Sequence, residues 1–522
     1  MKRFLFALLG ACVLAGLVLT ALTRRSTGPT PTEQLRVRYA KKSKPSVDHT
    51  QFTQLKGPFS KPQAVTAACI SCHNGRHTEV MRSSHWNWER TEYVEGKGIR
   101  RVGKRNVLNN FCIGIAGNQQ SCNKCHIGYG YADDRFDFQN PLNIDCLACH
   151  DNSSTYVKAA GGAGMPDASV DLSRVAQHVG RPQRTNCGTC HFFGGGGNNV
   201  KHGDLEKALF DPSRQVDVHM ASDGVDMQCV DCHSADQHQM LGKMYSVSSM
   251  NRQRVECSTC HGETPHRDEV LNQHTLKVAC QTCHIPLYAK VNPTKLAWDW
   301  STAGRLKGGE PYEEKDASGA DVYMSIKGSF VWGRQLKPEY AWSNGTASHY
   351  LIGETFDAGK PLQINELHGD YADPDAKIIP VKIHRAKQIY DTEFKYLIQP
   401  KTVSNRPGDG GYWKEFNWNR AAEEGMKEVG LPFSGKYGFA QTEMTWPINH
   451  MVSPKAQTVG CTECHTRKDG RLAKLGGFYM PGRDSNTWIE RIGGSLVLLT
   501  LVGVGAHGGG RAWASHKRKG GR

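Results

Sequence analysis

Asn143-Ile144-Asp145-Cys146-Leu147-Ala148-Cys149-His150 contains the pattern that decides how this chain is read. Two thiols sit one turn apart and a histidine follows at once. The arrangement recurs as Cys69-Cys72-His73, Cys122-Cys125-His126, Cys187-Cys190-His191, Cys229-Cys232-His233, Cys257-Cys260-His261, Cys280-Cys283-His284 and Cys461-Cys464-His465. These eight motifs take 16 of the 18 cysteines. At this spacing the two thiols can each add to a vinyl group of one porphyrin, and the next residue then supplies an axial imidazole to the iron. Paired zinc knuckles also use Cys-x-x-Cys but do not require a histidine after each pair. A disulfide scaffold is excluded by size and by the regular motif. The pattern therefore predicts eight covalently attached haems c, and an oxidising compartment outside the cytoplasm.

Composition agrees. A chain of 522 residues with only 38% hydrophobic residues is poor in material for protein cores, and porphyrin supplies the missing apolar bulk. The formal charge of +15 would suggest nucleic acid or a membrane surface. Each oxidised haem adds roughly −1, from two propionates against one net positive iron centre, so eight haems reduce the balance to roughly +7. No basic stripe is interleaved with aromatics, so nucleic-acid binding is excluded. The remaining positive field suits small anionic substrates.

Motif density divides the chain. Residues 1–25 hold an apolar run from Phe4 to Leu22 after Lys2 and Arg3, an export signal or membrane anchor. Residues 26–66 read as a polar linker, and 67–290 hold seven motifs. Residues 291–445 hold none and are expected to cap the haems. Residues 446–487 carry the eighth motif. A second apolar segment, 488–510, lies between Trp488 and Trp513 and precedes a basic tail, 511–522. Interfacial tryptophans and the positive tail predict a transmembrane helix with a cytoplasmic end, tethering the haem region to the periplasmic face of an inner membrane. The expected fold is that of a multihaem cytochrome c. Short α-helices and loops wrap a haem stack, with little regular secondary structure and a few short strands in 291–445.

Fifteen histidines remain after the eight in motifs. A haem closed by a second histidine relays electrons, and one left open or weakly closed can bind substrate. Local context singles out His85, His219, His238, His266, His274, His384 and His450 as distal ligands, one short of eight. His77, His178, His202, His349 and His368 have weaker contexts. His49, His507 and His516 fall outside the haem region. Cys112 has no motif partner and precedes Cys122 by ten residues, so the second haem is its natural neighbour.

Several stretches resemble the octahaem tetrathionate reductases, relatives of the hydroxylamine oxidoreductase group. They are Asn-Asn-Phe-Cys-Ile-Gly at 109–114, the motif at 143–150, Gly-Gly-Gly-Gly-Asn-Asn-Val-Lys-His-Gly-Asp-Leu at 194–205, Trp-Asp-Trp-Ser-Thr-Ala-Gly-Arg at 298–305 and Lys-Ile-His-Arg-Ala-Lys-Gln-Ile-Tyr-Asp at 382–391. The resemblance implies a catalytic second haem with a lysine amine as axial ligand and a cysteine nearby. Lys201 matches the lysine and Cys112 the cysteine. The lysine either faces His126 across the iron or displaces it. The expected activity is reduction of tetrathionate to thiosulfate, or of nitrite and hydroxylamine, with electrons from a membrane quinol-linked or cytochrome donor. The non-enzymatic alternative is an electron relay from the quinol pool, with eight bis-histidine haems. A quantitative haem assay is expected to give eight haems c per chain, none extracted by acid-acetone; seven or fewer would mean that a motif holds something else.

Overall fold

Each haem motif folds as little more than a single helical turn. In the computed structural model, which describes residues 37, 47–111, 114–242, 250, 253–404 and 406–519, eleven of the fifteen α-helices have six residues or fewer. Helices this short are not stable alone, so packing must hold them. The longer helix α1 (Pro62–Cys72) starts with proline at its first position, where a missing N–H costs nothing, and ends as it delivers His73. Helix α2 (Arg184–His191) carries the fourth motif. The Phe4–Leu22 segment and Cys112 lie outside the described residues.

Helices are mostly short and regular secondary structure is low, as expected, and the strands of the 291–445 region gather mainly into one sheet. Eight strands form one sheet: β1 (Thr294–Asp299), β2 (Glu313–Lys315), β3 (Asp321–Met324), β4 (Gly328–Gly333), β5 (Glu339–Ser343), β6 (Leu362–Gln363), β7 (Lys377–Asp391) and β8 (Tyr437–Pro447). Their order is β6-β8-β7-β1-β4-β3-β2, with β5 paired to β7. Strand β7 is central. It pairs antiparallel with β8 from Val381↔Pro447 to Asp391↔Tyr437, and parallel with β1 at Arg385↔Ala297. Along most of β7 both faces are buried, as a strand covered on two sides requires. Charged residues hid this strand from sequence reading, because Lys382 and His384 are fully buried in it.

The sheet does more than cap. Its core joins Trp298, Trp300, Phe330 and Trp446 to Leu108, Phe111 and Val200 from the seven-motif region. The linker is also shorter than the sequence suggested. Leu55 packs with Val65, Leu147 and Val175, so the residues around His49 belong to the folded body. Helix α3 (Trp418–Glu428) buries Ala421, Ala422, Gly425 and Met426. Helix α4 (Thr487–Lys519) is exposed along its described length, and Thr487–Arg518 is long and apolar enough to cross a membrane.

Gly425 gives a stability test. Alanine in a helix interior normally gains about 1 kcal/mol over glycine. Here a Cβ would sit 1.9 Å from the Gln399 carbonyl oxygen. Gly425→Ala is expected to cost about 1–3 kcal/mol in denaturant unfolding of the haem-loaded protein; a gain would show that α3 packs more loosely.

Candidate haem sites and the second motif

Two imidazoles on opposite sides of one iron, each with a metal–nitrogen bond of about 2 Å, place their ring centroids about 6 Å apart. Six motif histidines face another histidine at that spacing. The pairs are His73–His49 at 6.3 Å, His191–His85 at 6.1 Å, His261–His219 at 6.0 Å, His233–His450 at 6.1 Å, His284–His266 at 6.1 Å and His465–His274 at 6.1 Å. For a seventh, His150, the His238 imidazole is placed to act on it electrostatically. The residues therefore fit haem iron at these positions. Ring orientation agrees: Nδ1 of His150, His233, His274 and His465 donates to the carbonyls of Gly180, Leu241, Val270 and Pro481, which turns Nε2 inward. Burial holds His85, His233, His261 and His284 below the ordinary histidine range, and His191 at about 3. A metal ligand must be neutral in this way.

Two sequence expectations change. His49, placed outside the haem region, stands opposite His73. His384 does not face a motif histidine; its ring lies against Phe111 at 3.9 Å, and both nitrogens are buried without a hydrogen-bond partner. The cause is its place in β7, which turns it into the sheet core rather than onto a motif.

The second motif departs from the others. His73, His150, His233, His261 and His465 donate their backbone N–H to the carbonyl of the motif's first cysteine, and His191 and His284 lie within helices. His126 instead donates to Asn123, closing a tighter turn, and its backbone is extended at φ −79° and ψ 142°. The side chain leaves in another direction. It sits among Trp86, Trp88, Tyr131, Phe136 and Phe138 at centroid distances of 4.9–6.0 Å. Its Nε2, the nitrogen the paired histidines keep for iron, bonds the Trp86 carbonyl at 2.6 Å. Burial lowers its pKa to about 3.

A buried amine touches this motif. Lys158, with a side chain 8% exposed, bonds the His126 carbonyl at 2.5 Å and the Asp145 carboxylate at 2.8 Å. Asp145 also accepts from Tyr129 and Tyr156, at 2.9 Å each. Lys158 had no sequence signal of its own. The clue was Asp145, an acid next to a motif cysteine. Lys201 lies elsewhere, its Nζ 4.8 Å from the Trp446 ring centroid. Trp446 also contacts Phe111, the residue before Cys112. The structure thus brings the 109–111 and 200–202 stretches together. Lys382 fixes the second of them, donating to the Val200 and Lys201 carbonyls and to Thr294 Oγ1 at 2.8, 3.1 and 2.6 Å. Beside it, a cavity of about 340 Å³ is lined by Gly195 to Gly197, Lys295 and Lys327.

Thiol contacts give the order of the motifs in space. Cys69 lies beside Cys146, Cys125 beside Cys190, Cys187 beside Cys229, and Cys257 beside Cys280. Cys149 lies near Cys187 and Cys190, Cys232 near Cys260, and Cys283 near Cys464. The motifs therefore run 1-3-4-5-6-7-8 in space, with the second branching from the fourth.

The histidine placements predict a clean contrast. His49→Ala is expected to create one new high-spin haem in electron paramagnetic resonance, and His384→Ala none. The reverse result would restore His384 as an axial ligand.

A family model for bacterial cytochrome c matches residues 295–468. An uncharacterised protein of Archaeoglobus fulgidus is 26% identical over 243 residues, covering 37% of this chain and 80% of that one. The crystal structure of an octahaem cytochrome c from Shewanella oneidensis is 44% identical and superposes with a TM-score of 0.78, covering 84% of this chain and 98% of that one. With likeness in sequence and in fold along nearly the whole of that protein, this chain belongs to the octahaem c-type cytochromes, the family to which its resemblance to the octahaem tetrathionate reductases pointed.

Proposed function

We propose that this cytochrome is a reductase whose catalytic haem is the one on Cys122 and Cys125, tethered by α4 to the periplasmic face of a membrane. One observation carries the reading: His126 turns its Nε2 onto the Trp86 carbonyl while seven other motif histidines stand opposite, or act on, a second imidazole. Seven haems then relay electrons and one accepts substrate. When bound, the second haem supplies single electrons and an iron with an exchangeable position. On the chain's side, Lys158 would hold the iron in place of His126, once its amine has given up its proton and its contact with Asp145. This moves the axial amine from Lys201, because Lys158 touches the second motif whereas Lys201 rests on the Trp446 ring. Lys201 then faces substrate, Cys112 keeps the role the resemblance implies, and the cavity with Lys295 and Lys327 favours an anion.

For tetrathionate the Cys112 thiolate attacks one central sulfur and displaces a thiosulfate, which is ordinary exchange chemistry. Two electrons then break the new S–S bond, releasing the second thiosulfate and restoring the thiolate. Lys201 offsets the negative charge of the departing groups. Nitrite and hydroxylamine need electrons and protons but no thiolate. Electrons come from a membrane quinol-linked or cytochrome donor through the relay haems.

Three variants test this. Lys158→Ala is expected to change the high-spin signal and the cyanide binding of one haem, with the other haems unchanged. Lys201→Ala should leave every haem spectrum intact and raise the KM for tetrathionate; a new high-spin haem in this variant alone would return the axial role to Lys201. Cys112→Ser should cut tetrathionate turnover about 100-fold or more and largely spare nitrite and hydroxylamine. Failure of all three substrates to reoxidise the reduced wild-type protein would leave a relay without a substrate site.

A further inference from the structure

The fourth haem has a different electrostatic setting from its two neighbours on the main path. On the third haem, the distal His238 contacts the Glu79 carboxylate through Nδ1 at 2.8 Å. On the fifth, the distal His450 contacts Asp204 through Nδ1 at 3.1 Å. Asp204 is 1% exposed and also accepts the backbone N–H groups of Asn449 and His450. Elsewhere the histidine partners are neutral carbonyls, at His274 and His465 for example. His219, on the sixth haem, is 4.0 Å from Asp217, too far for a hydrogen bond. Among the described residues neither His85 nor His191, the fourth haem's pair, has a carboxylate within hydrogen-bond or ion-pair distance, and the charges that act on them are cations, Lys201 and Lys104 on His191 and Arg90 on His85. Arg90 shares its charge with Glu92 at 3.1 Å, so the two lysines carry most of the effect.

The signs are opposite. A carboxylate behind an axial histidine makes the imidazole more basic and favours ferric iron, lowering the potential. A nearby cation opposes the ferric charge and raises it. We propose that the haem on Cys187 and Cys190 is a potential well, where electrons entering from either direction come to rest beside the haem on Cys122 and Cys125. The proposal rests on the bis-histidine ligand assignment above. It also gives a reason for the branch at the fourth motif. A two-electron substrate on the second haem has an electron store one contact away, through Cys190 and Cys125. Asp204 has the larger influence of the two carboxylates, because Glu79 is also paired with Arg76 at 2.5 Å.

Ring geometry sorts the haems into two spectral classes. Near-perpendicular imidazole planes give low-spin spectra with a single large g value, and near-parallel planes give rhombic spectra. The fourth haem's planes lie at 71°, with the sixth and eighth also steep at 61° and 82°, whereas the fifth's lie at 28°. In a redox titration of the full-length haem-loaded protein followed by electron paramagnetic resonance, the large-g component reduced first should be the one that His85→Ala removes, with the rhombic components reduced later. Asp204→Asn should favour reduction of one rhombic component about tenfold, a rise of about 59 mV for one electron, and leave the other components unmoved. Glu79→Gln, at a more exposed site, should move a different component upward by a smaller amount. Rhombic components reduced first in the wild type, or two folded variants with unshifted components, would overturn the well while leaving the ligands as assigned. More than one high-spin haem in the wild type would overturn the ligand assignment, and the well with it.

Discussion

Each relay haem needs two imidazoles in line through one iron, and its motif supplies only one. The second must arrive from elsewhere and stop with its ring about 6 Å from the first. That constraint organises the chain. His85 crosses to the fourth motif, His450 returns to the fifth, and His274 reaches forward to the eighth. Each crossing closes a long loop, at an entropic cost that grows slowly with length. Covalent attachment and two axial bonds per haem offset it. Helices of four to six residues suffice because they only have to present a cysteine pair and a ring.

The second motif shows how little is needed to change the outcome. Its sequence pattern is the same as the others. The difference lies in one backbone hydrogen bond, to Asn123 rather than to the first cysteine. The tighter turn releases His126 in extended conformation, and five aromatic rings and the Trp86 carbonyl hold it. A neutral, dry imidazole in such a cage costs little. The same region holds Lys158 through Asp145, with two tyrosine hydroxyls satisfying the carboxylate. A motif read from spacing alone cannot reveal this, because the deciding residues are Trp86, Trp88 and Phe138 from other segments.

Legibility followed the range of the interactions. Haem attachment, the seven-motif cluster and the apolar C-terminal helix were visible because each is local. Six of the seven distal histidines singled out by context lie opposite or beside a motif histidine. His384 does not, because its context was a strand whose pairing with β8 only the fold fixes. His49 was missed because it sits in polar sequence that looked like linker, and only Leu55 packing against Val65 and Leu147 makes that stretch part of the body. Strand β7 was obscured by Lys382, a lysine fully buried with three oxygen acceptors, which no hydropathy pattern anticipates.

That buried lysine links the two halves of the molecule. Lys382 holds the carbonyls of Val200 and Lys201 and so fixes the loop between the glycine run and Asp204. Three residues after Lys201, Asp204 orients His450 on the fifth haem. One short stretch therefore positions a side chain at the proposed substrate face and a ligand on the electron path. The sheet anchors both through β7, β1 and Trp446. A substitution that loosens the loop would disturb chemistry and electron supply together, whereas one confined to the Lys201 side chain would disturb only the first. The haem-free region thus holds the proposed substrate face and the fifth motif's histidine pair in fixed register, because the groups that serve each are held by the same strand.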